Sequence, residues 1–200
     1  MAVVEVGIVE RAKSGDALAF EAIFNTYRDP IYNYILRIMG SSEEANDLTQ
    51  DTFLKAYRAL PRTSADLNLP AWLYRIATNT CRDELRRRKI IKWQPWDSLT
   101  ELFFTKQVAD DNPEREALEK ELKEAVQVVL NRLPYKYKLC LVLREYEGLS
   151  CEQIAEILGT TRSAVKSLLF RAREEFRSVY AGLEEGTKSV IGREVKRHEV

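Results

Sequence analysis

Two hundred residues, 45% of them hydrophobic and 31% charged, with a net charge of zero, carry enough apolar material to bury a core and exclude a chain disordered throughout. No apolar run approaches the roughly 20 residues that a membrane span needs, since the longest candidate, 139–143, is followed at once by Arg144 and Glu145. The first residues carry Glu5 and Glu10 and lack a basic head before an apolar stretch, so a secretory signal is excluded and a soluble chain that stays in the cytoplasm is expected.

Nearly every segment repeats its apolar residues at helical spacing, and alternation of period two is hard to find, so the expected fold is all-α. A first helix starts after Ser14, carries Phe20, Ile23, Phe24 and Tyr27, passes a kink at Pro30 and ends at Gly40 after Tyr34, Ile35 and Ile38. The next begins at Ser41, where Glu44 completes a capping box; it carries Leu48, Thr52, Phe53, Ala56 and Tyr57 until Pro61 stops it. Residues 62–69 read as a loop. A third helix starts near Pro70 and buries Trp72, Leu73, Ile76, Ala77, Cys81 and Leu85 at three-four spacing. Regularity fades over 93–113, which mixes prolines, acids and scattered aromatics and reads as a flexible linker. Helical pattern returns from Glu114 to Arg132, and Leu133-Pro134 opens another helix that ends at Gly148. Ser150, answered by Gln153, caps a helix with Ile154, Ala155 and Leu158 on its buried face before Gly159 turns the chain. Thr160 or Thr161 caps the last helix, whose apolar face is Val165, Leu168 or Leu169, Ala172 and Phe176. The division expected is a first helical domain over 1–92, the linker over 93–113, a second over 114–180, and a disordered tail over 181–200.

Charge is placed unevenly along this plan. Residues 75–92 hold seven basic side chains against Asp83 and Glu84; 93–124 hold four against nine acidic ones; 125–180 hold nine against six. Two basic blocks thus flank an acidic spacer. Within the first, Arg75, Asn79, Arg82, Arg86 and Lys89 recur every three or four residues and share one helix face. Such a face suits phosphate contact and, beside aromatics, stacking of an unpaired base; an isolated run of this kind is otherwise a solvated charged helix. In the second block, helix, short glycine-bearing turn and helix form the helix-turn-helix pattern, whose second helix enters a DNA major groove. Opposite its apolar face lie Arg162, Ser163, Lys166, Ser167, Phe170 and Arg171, a set of donors plus one aromatic that fits phosphates and base edges. An ordinary helical hairpin with a basic surface is the plainer alternative.

Catalysis has little to draw on. His198 is the only histidine, and neither a glycine-rich phosphate loop, a metal-ligand cluster nor a nucleophile beside a histidine can be assembled. Cys81, Cys140 and Cys151 are odd in number, widely spaced and set in apolar helical patterns, as reduced core residues are. Neither a cofactor nor a metal is expected.

Three stretches together resemble the extracytoplasmic-function sigma factors of the sigma-70 family, over about 8–180. They are Asp47-Leu48-Thr49-Gln50-Asp51-Thr52-Phe53, then Trp72-Leu73-Tyr74-Arg75-Ile76-Ala77-Thr78-Asn79, then Leu149-Ser150 through Ile154-Ala155-Glu156 to Val165-Lys166-Ser167 and Arg171-Ala172-Arg173. The resemblance implies a sigma-two helical bundle joined to a sigma-four helix-turn-helix domain, in a non-catalytic alternative sigma factor that binds core RNA polymerase and directs promoter-specific initiation, in a stress or envelope response. It implies docking through Asp47, Gln50, Asp51 and Phe53 on the clamp helices of the largest polymerase subunit, with the flap of the second-largest subunit as a further contact. It places the minus-ten element on Trp72, Arg75, Asn79, Arg82 and Arg86 with the 62–69 loop, and the minus-thirty-five element on Arg162, Ser163, Lys166, Ser167, Phe170 and Arg171. An anti-sigma factor is the expected regulator. Asn46 stands where the family more often has an acid, and Leu168 replaces a frequent arginine. A pairing of Asp51 with Lys55 within the helix is the plainer reading of the acidic face, and a stand-alone helix-turn-helix regulator is the rival for the whole chain.

Overall fold

The structure is a computed structural model that describes residues 6–88 and 115–195, with side chains over 7–88 and 124–183. Every regular element among the described residues is helical: α1 (Val6–Lys13), α2 (Ala17–Met39), α3 (Ser42–Ala59), α4 (Leu69–Arg87), α5 (Arg115–Arg132), α6 (Tyr135–Leu141), α7 (Cys151–Leu158) and α8 (Arg162–Val195). A 3-10 turn follows α3 at Leu60–Arg62, and α6 continues into a π-helical turn at Val142–Tyr146. The linker expected over 93–113 lies outside the described residues.

Local chemistry sets most of these boundaries. Asp16, rather than a residue nearer Ser14, caps α2 by accepting from the amides of Leu18 and Ala19 at 3.0 and 3.1 Å, and Arg11 clamps its other oxygen at 2.6 Å. That clamp also closes α1, a helix too short for its periodicity to stand out in the sequence. Pro30 removes one amide yet α2 runs on through it, because Ile23, Ile31, Tyr34 and Ile35 are wholly buried on either side. Ser41 accepts from the Glu44 amide at 3.4 Å, but the box is half formed: the Glu44 carboxylate turns away to Arg88 at 2.7 Å. The box at Ser150 and Gln153 is complete, and Thr161 caps α8 by accepting from the Ala164 amide at 3.2 Å. Residues 181–195, expected as a disordered tail, instead prolong α8 as far as Val195.

Helices α1 to α4 form one unit and α5 to α8 a second, and the two pack on each other around one continuous set of buried side chains. The second unit caps the end of α2. Lys138 donates from Nζ to the Ile38 carbonyl at 3.1 Å and to Asn131 Oδ1 at 3.0 Å, and Gln127 donates to the Arg37 carbonyl at 3.1 Å. These are last-turn carbonyls with no partner inside the helix. Gly40 makes that approach possible: its φ of +77° is left-handed, and a Cβ there would stand 3.3 Å from Asn131 Nδ2. Nearby, Arg37 lies over the Tyr146 ring, 4.2 Å from its centroid, and the Tyr74 hydroxyl donates to the Glu147 carboxylate. Burial raises the Tyr74 hydroxyl well above its ordinary range and lifts the Glu147 carboxyl as well.

Candidate nucleic-acid interface

Three helix faces carry the charged and polar residues singled out above. On α3, the three-four spacing buries Leu48, Thr52, Phe53 and Ala56 and leaves Asp47, Gln50 and Asp51 exposed. Among the described residues no ion pair holds either aspartate. Lys55 does not pair with Asp51; it reaches across to Thr80 Oγ1 at 3.1 Å. Both carboxylates are therefore available to a cationic partner. Phe53 is a correction: it is 4% exposed and meets Phe24 edge-on with ring centroids 4.9 Å apart, so it builds the core rather than the docking face. The apolar residue at that face is Leu54, 53% exposed, next to Tyr57, which the helical spacing had placed inside but which is 50% exposed and packs its edge on Phe20. The sign in the sequence was a leucine that falls outside the helix's own apolar spacing.

The 62–69 loop is tethered rather than loose. Thr63 Oγ1 donates to the Leu60 carbonyl at 2.7 Å, Lys13 donates to the Ser64 carbonyl at 2.8 Å, and Asn68 caps α4. Arg62, Ser64, Ala65, Asp66 and Asn68 are exposed along its rim. On α4, Arg75 and Arg86 are exposed, while Asn79 and Arg82 are half-buried on the same side. Trp72 is a second correction. At 8% exposure it is a core residue, because its position on α4 coincides with the helix's buried face and leaves it no surface to stack a base. Not all of the basic stripe is free: Arg88 is held by Glu44 at 2.7 Å and by Glu84 at 2.5 Å, and Arg87 by Glu84 at 2.8 Å. Lys89 lies outside the described residues.

On α8 the sorting is complete. Val165, Leu169 and Ala172 are buried, whereas Arg162, Ser163, Lys166, Ser167, Phe170 and Arg171 are exposed, Phe170 by 68%. A ring left that open on a charged helix has no packing role in this chain. Leu168 is half-buried against the core, so the residue that departs from the family's arginine serves packing. Arg162 is paired with Glu152 of α7 at 2.5 Å, and Ser167 returns its hydroxyl to the Ser163 carbonyl at 3.2 Å. Lys166 and Arg171 make no ion pair among the described residues and stand as the free cations of this face. The turn that aims α8 uses Gly159 at φ 65°, with the Thr160 amide donating to the Ala155 carbonyl at 2.9 Å.

Nothing in these faces suggests bond-making chemistry. The Cys81 and Cys140 thiols are buried, and burial pushes each up to about 12, far from a reactive thiolate. No group of metal-binding side chains converges among the described residues, and no helix there is long and apolar enough to cross a membrane.

Comparison with known proteins matches two stretches of the chain. Residues 23–90 match the profile described as Sigma-70 region 2, and 123–176 match Sigma-70, region 4. The chain is 37% identical over 173 residues to the RNA polymerase sigma-H factor of Pseudomonas aeruginosa, spanning 84% of this chain and 89% of that one. It is 34% identical over 175 residues to the ECF RNA polymerase sigma factor SigW of Bacillus subtilis, spanning 84% and 92%. Among solved structures, CnrH in complex with the cytosolic domain of CnrY has the same fold, with a TM-score of 0.67 at 22% identity over 88% of this chain and 97% of that one. The sigma factor RpoE in complex with the anti-sigma factor NepR from Bartonella quintana gives a TM-score of 0.60 at 22% identity over 80% and 95%.

Proposed function

This chain belongs to the sigma-70 family, as a sigma factor of the extracytoplasmic-function type, and on that premise we propose which of its residues perform each step of initiation. The family membership makes it a non-catalytic factor that binds core RNA polymerase and directs transcription. We assign docking on the clamp helices to Asp47, Gln50 and Asp51 with Leu54 as their apolar neighbour, since exposed unpaired carboxylates beside a leucine fit a basic, partly apolar partner. The 62–69 loop with Arg75, Asn79, Arg82 and Arg86 takes the minus-ten element. Asn79 offers the amide that can read a base edge, and the arginines hold phosphates. Arg162, Ser163, Lys166, Ser167, Phe170 and Arg171 take the minus-thirty-five element from the major groove. Domains over 1–92 and 114–180 divide these tasks, with the flap of the second-largest polymerase subunit holding the second. An anti-sigma factor is the expected inhibitor, a stress or envelope response the expected setting, and the cytoplasm the place of action.

The observation that carries this reading is the coexistence, on one chain, of an unpaired acidic face on α3 with separate basic faces on α4 and α8. A stand-alone repressor or activator has no use for the first. In vitro transcription tests it. Core polymerase with this chain should start at discrete sites on genomic fragments and core alone should not. Specific binding to naked duplex DNA with no new transcripts would replace it with the stand-alone regulator.

A further inference from the structure

The 62–69 loop is held at both of its own ends and also by a residue 51 positions away from it. Leu60 and Leu69, 1% and 4% exposed, anchor the ends in the core. Thr63 fixes the entry, its amide and its hydroxyl both donating to the Leu60 carbonyl, at 3.1 and 2.7 Å. Asn68 fixes the exit by accepting from the Ala71 amide at 3.4 Å. Between these points the chain turns at Ala65 and Asp66, and Ser64, Ala65 and Asp66 are exposed. Lys13 takes hold there: its Nζ donates to the Ser64 carbonyl at 2.8 Å.

The Lys13 side chain is only 11% exposed, although lysines mostly lie in water. Glu10 Oε1, one turn earlier on α1, accepts from the same Nζ at 3.1 Å and balances the charge. An ammonium has three donors, so both bonds are made at once, and bonds from a charged donor are roughly twice as strong as neutral ones. The end of α1 that carries Lys13 is itself fixed, because Arg11 grips Asp16 and Asp16 caps α2. The Ser64 carbonyl is thereby held to the frame of α1 and α2 rather than to its sequence neighbours alone.

Resting on the assignment of this loop to the minus-ten element, we infer that Lys13 is a positioning residue for base choice: it touches no DNA and holds the loop's rim where an unpaired base is read. Hydrogen bonds to a base edge discriminate only while donor and acceptor stay within about half an ångström of their places. Phosphate contacts from Arg75 and Arg86 on α4 carry no sequence information and do not pass through the loop. A loop freed at Ser64 therefore loses choice at the base it reads and keeps most of its affinity.

Holoenzyme assembled with the full chain is measured on premelted fragments of a promoter mapped by in vitro transcription, with the preferred nontemplate minus-ten strand or a single-base change of it. Lys13→Met should lower discrimination about tenfold at a minus-ten base, the scale of one base contact. Core affinity and minus-thirty-five choice should stay parental, which a general loss of stability would not allow. Lys13→Arg retains a cation with donors for both acceptors and should restore the choice. A nitroxide on Ala65→Cys, in a Cys151→Ser background that leaves only the buried Cys81 and Cys140, reports on the loop directly. Its motion should be slow in the parent and in Lys13→Arg and fast in Lys13→Met. A freely moving label in the parent overturns the inference whether or not any variant folds. So does parental discrimination by Lys13→Met at every minus-ten base, or a Lys13→Arg as indiscriminate as Lys13→Met. Arg62→Ala combined with Asp66→Ala tests the premise on its own. Parental choice in that variant removes the loop from base reading, whereas altered choice there beside a parent-like Lys13→Met refutes the role of Lys13 alone.

Discussion

Lys138 gives the sharpest quantitative test of how the two helical units hold together. Its ammonium is buried at the end of α2, bonded to the Ile38 carbonyl and Asn131 Oδ1, and burial pulls it down from the ordinary 10.5 to about 8. At pH 7 the charged form costs about 3 kcal/mol relative to its exposed state. Two charge-assisted hydrogen bonds return about 1.5 to 3 kcal/mol each. Lys138→Met should therefore change stability little at neutral pH, by about 1 to 2 kcal/mol. The sign with pH is fixed by proton counting. Between about 8 and 10.5 the unfolded chain holds a proton on Lys138 that the folded chain has released, so the folded state gains stability as pH rises, by about 1.3 kcal/mol per pH unit. A neutral amine still has the two N–H groups needed for both acceptors. Cys81 and Cys140, pushed up to about 12 from 9.0, act in the opposite direction above pH 9, when the unfolded thiols ionise and the buried ones do not. Urea unfolding of parent and Lys138→Met at pH 7, 8, 9 and 10 cancels the cysteine contribution. The gap should widen in favour of the parent by about 2 to 3 kcal/mol between pH 8 and 10. A gap that stays constant would show that Lys138 is not buried as a cation and that the junction around Ile38 is wrongly described.

Three further outcomes test the interfaces. Asp51→Arg reverses a charge that has no internal partner, so it should leave helicity unchanged and weaken core polymerase binding by about tenfold or more, the scale at which charge reversals act at interfaces; equal affinity for core would remove α3 as the docking face. Asn79→Ala should slow open-complex formation on duplex promoters, and a template already unpaired at minus ten should recover only part of the loss, because a base contact is missing as well. Full activity on both templates refutes that assignment. Arg171→Ala should lower holoenzyme affinity nearly equally on all promoters and reduce the salt slope by about one, whereas Lys166→Ala should cost about 1 to 3 kcal/mol on the preferred minus-thirty-five sequence and relax choice at one position. Salt titrations on matched and single-base-changed promoters separate the two, and parent-like behaviour of both would exclude α8 as the reading element.

Most of the helices were legible because their signals are local. A capping side chain, a three-four apolar run and a glycine at the end need no knowledge of the rest of the chain, and Ser150, Gln153 and Gly159 bound α7 where their chemistry predicts. Errors arose where a distant partner decides. Glu44 has the residue type and spacing of a capping partner, but Arg88, 44 positions away, offers it a stronger interaction. Phe53 and Trp72 lie within the motifs that carry function, and motif membership alone cannot separate a residue that touches a partner from one that supports its neighbours; burial does. Leu54 and Tyr57 show the converse, apolar residues that the fold leaves about half exposed. The junction itself left no periodic trace, since Arg37, Tyr74, Lys138 and Glu147 are spread over three helices and the end of the turn after α6 and meet only once both units are folded.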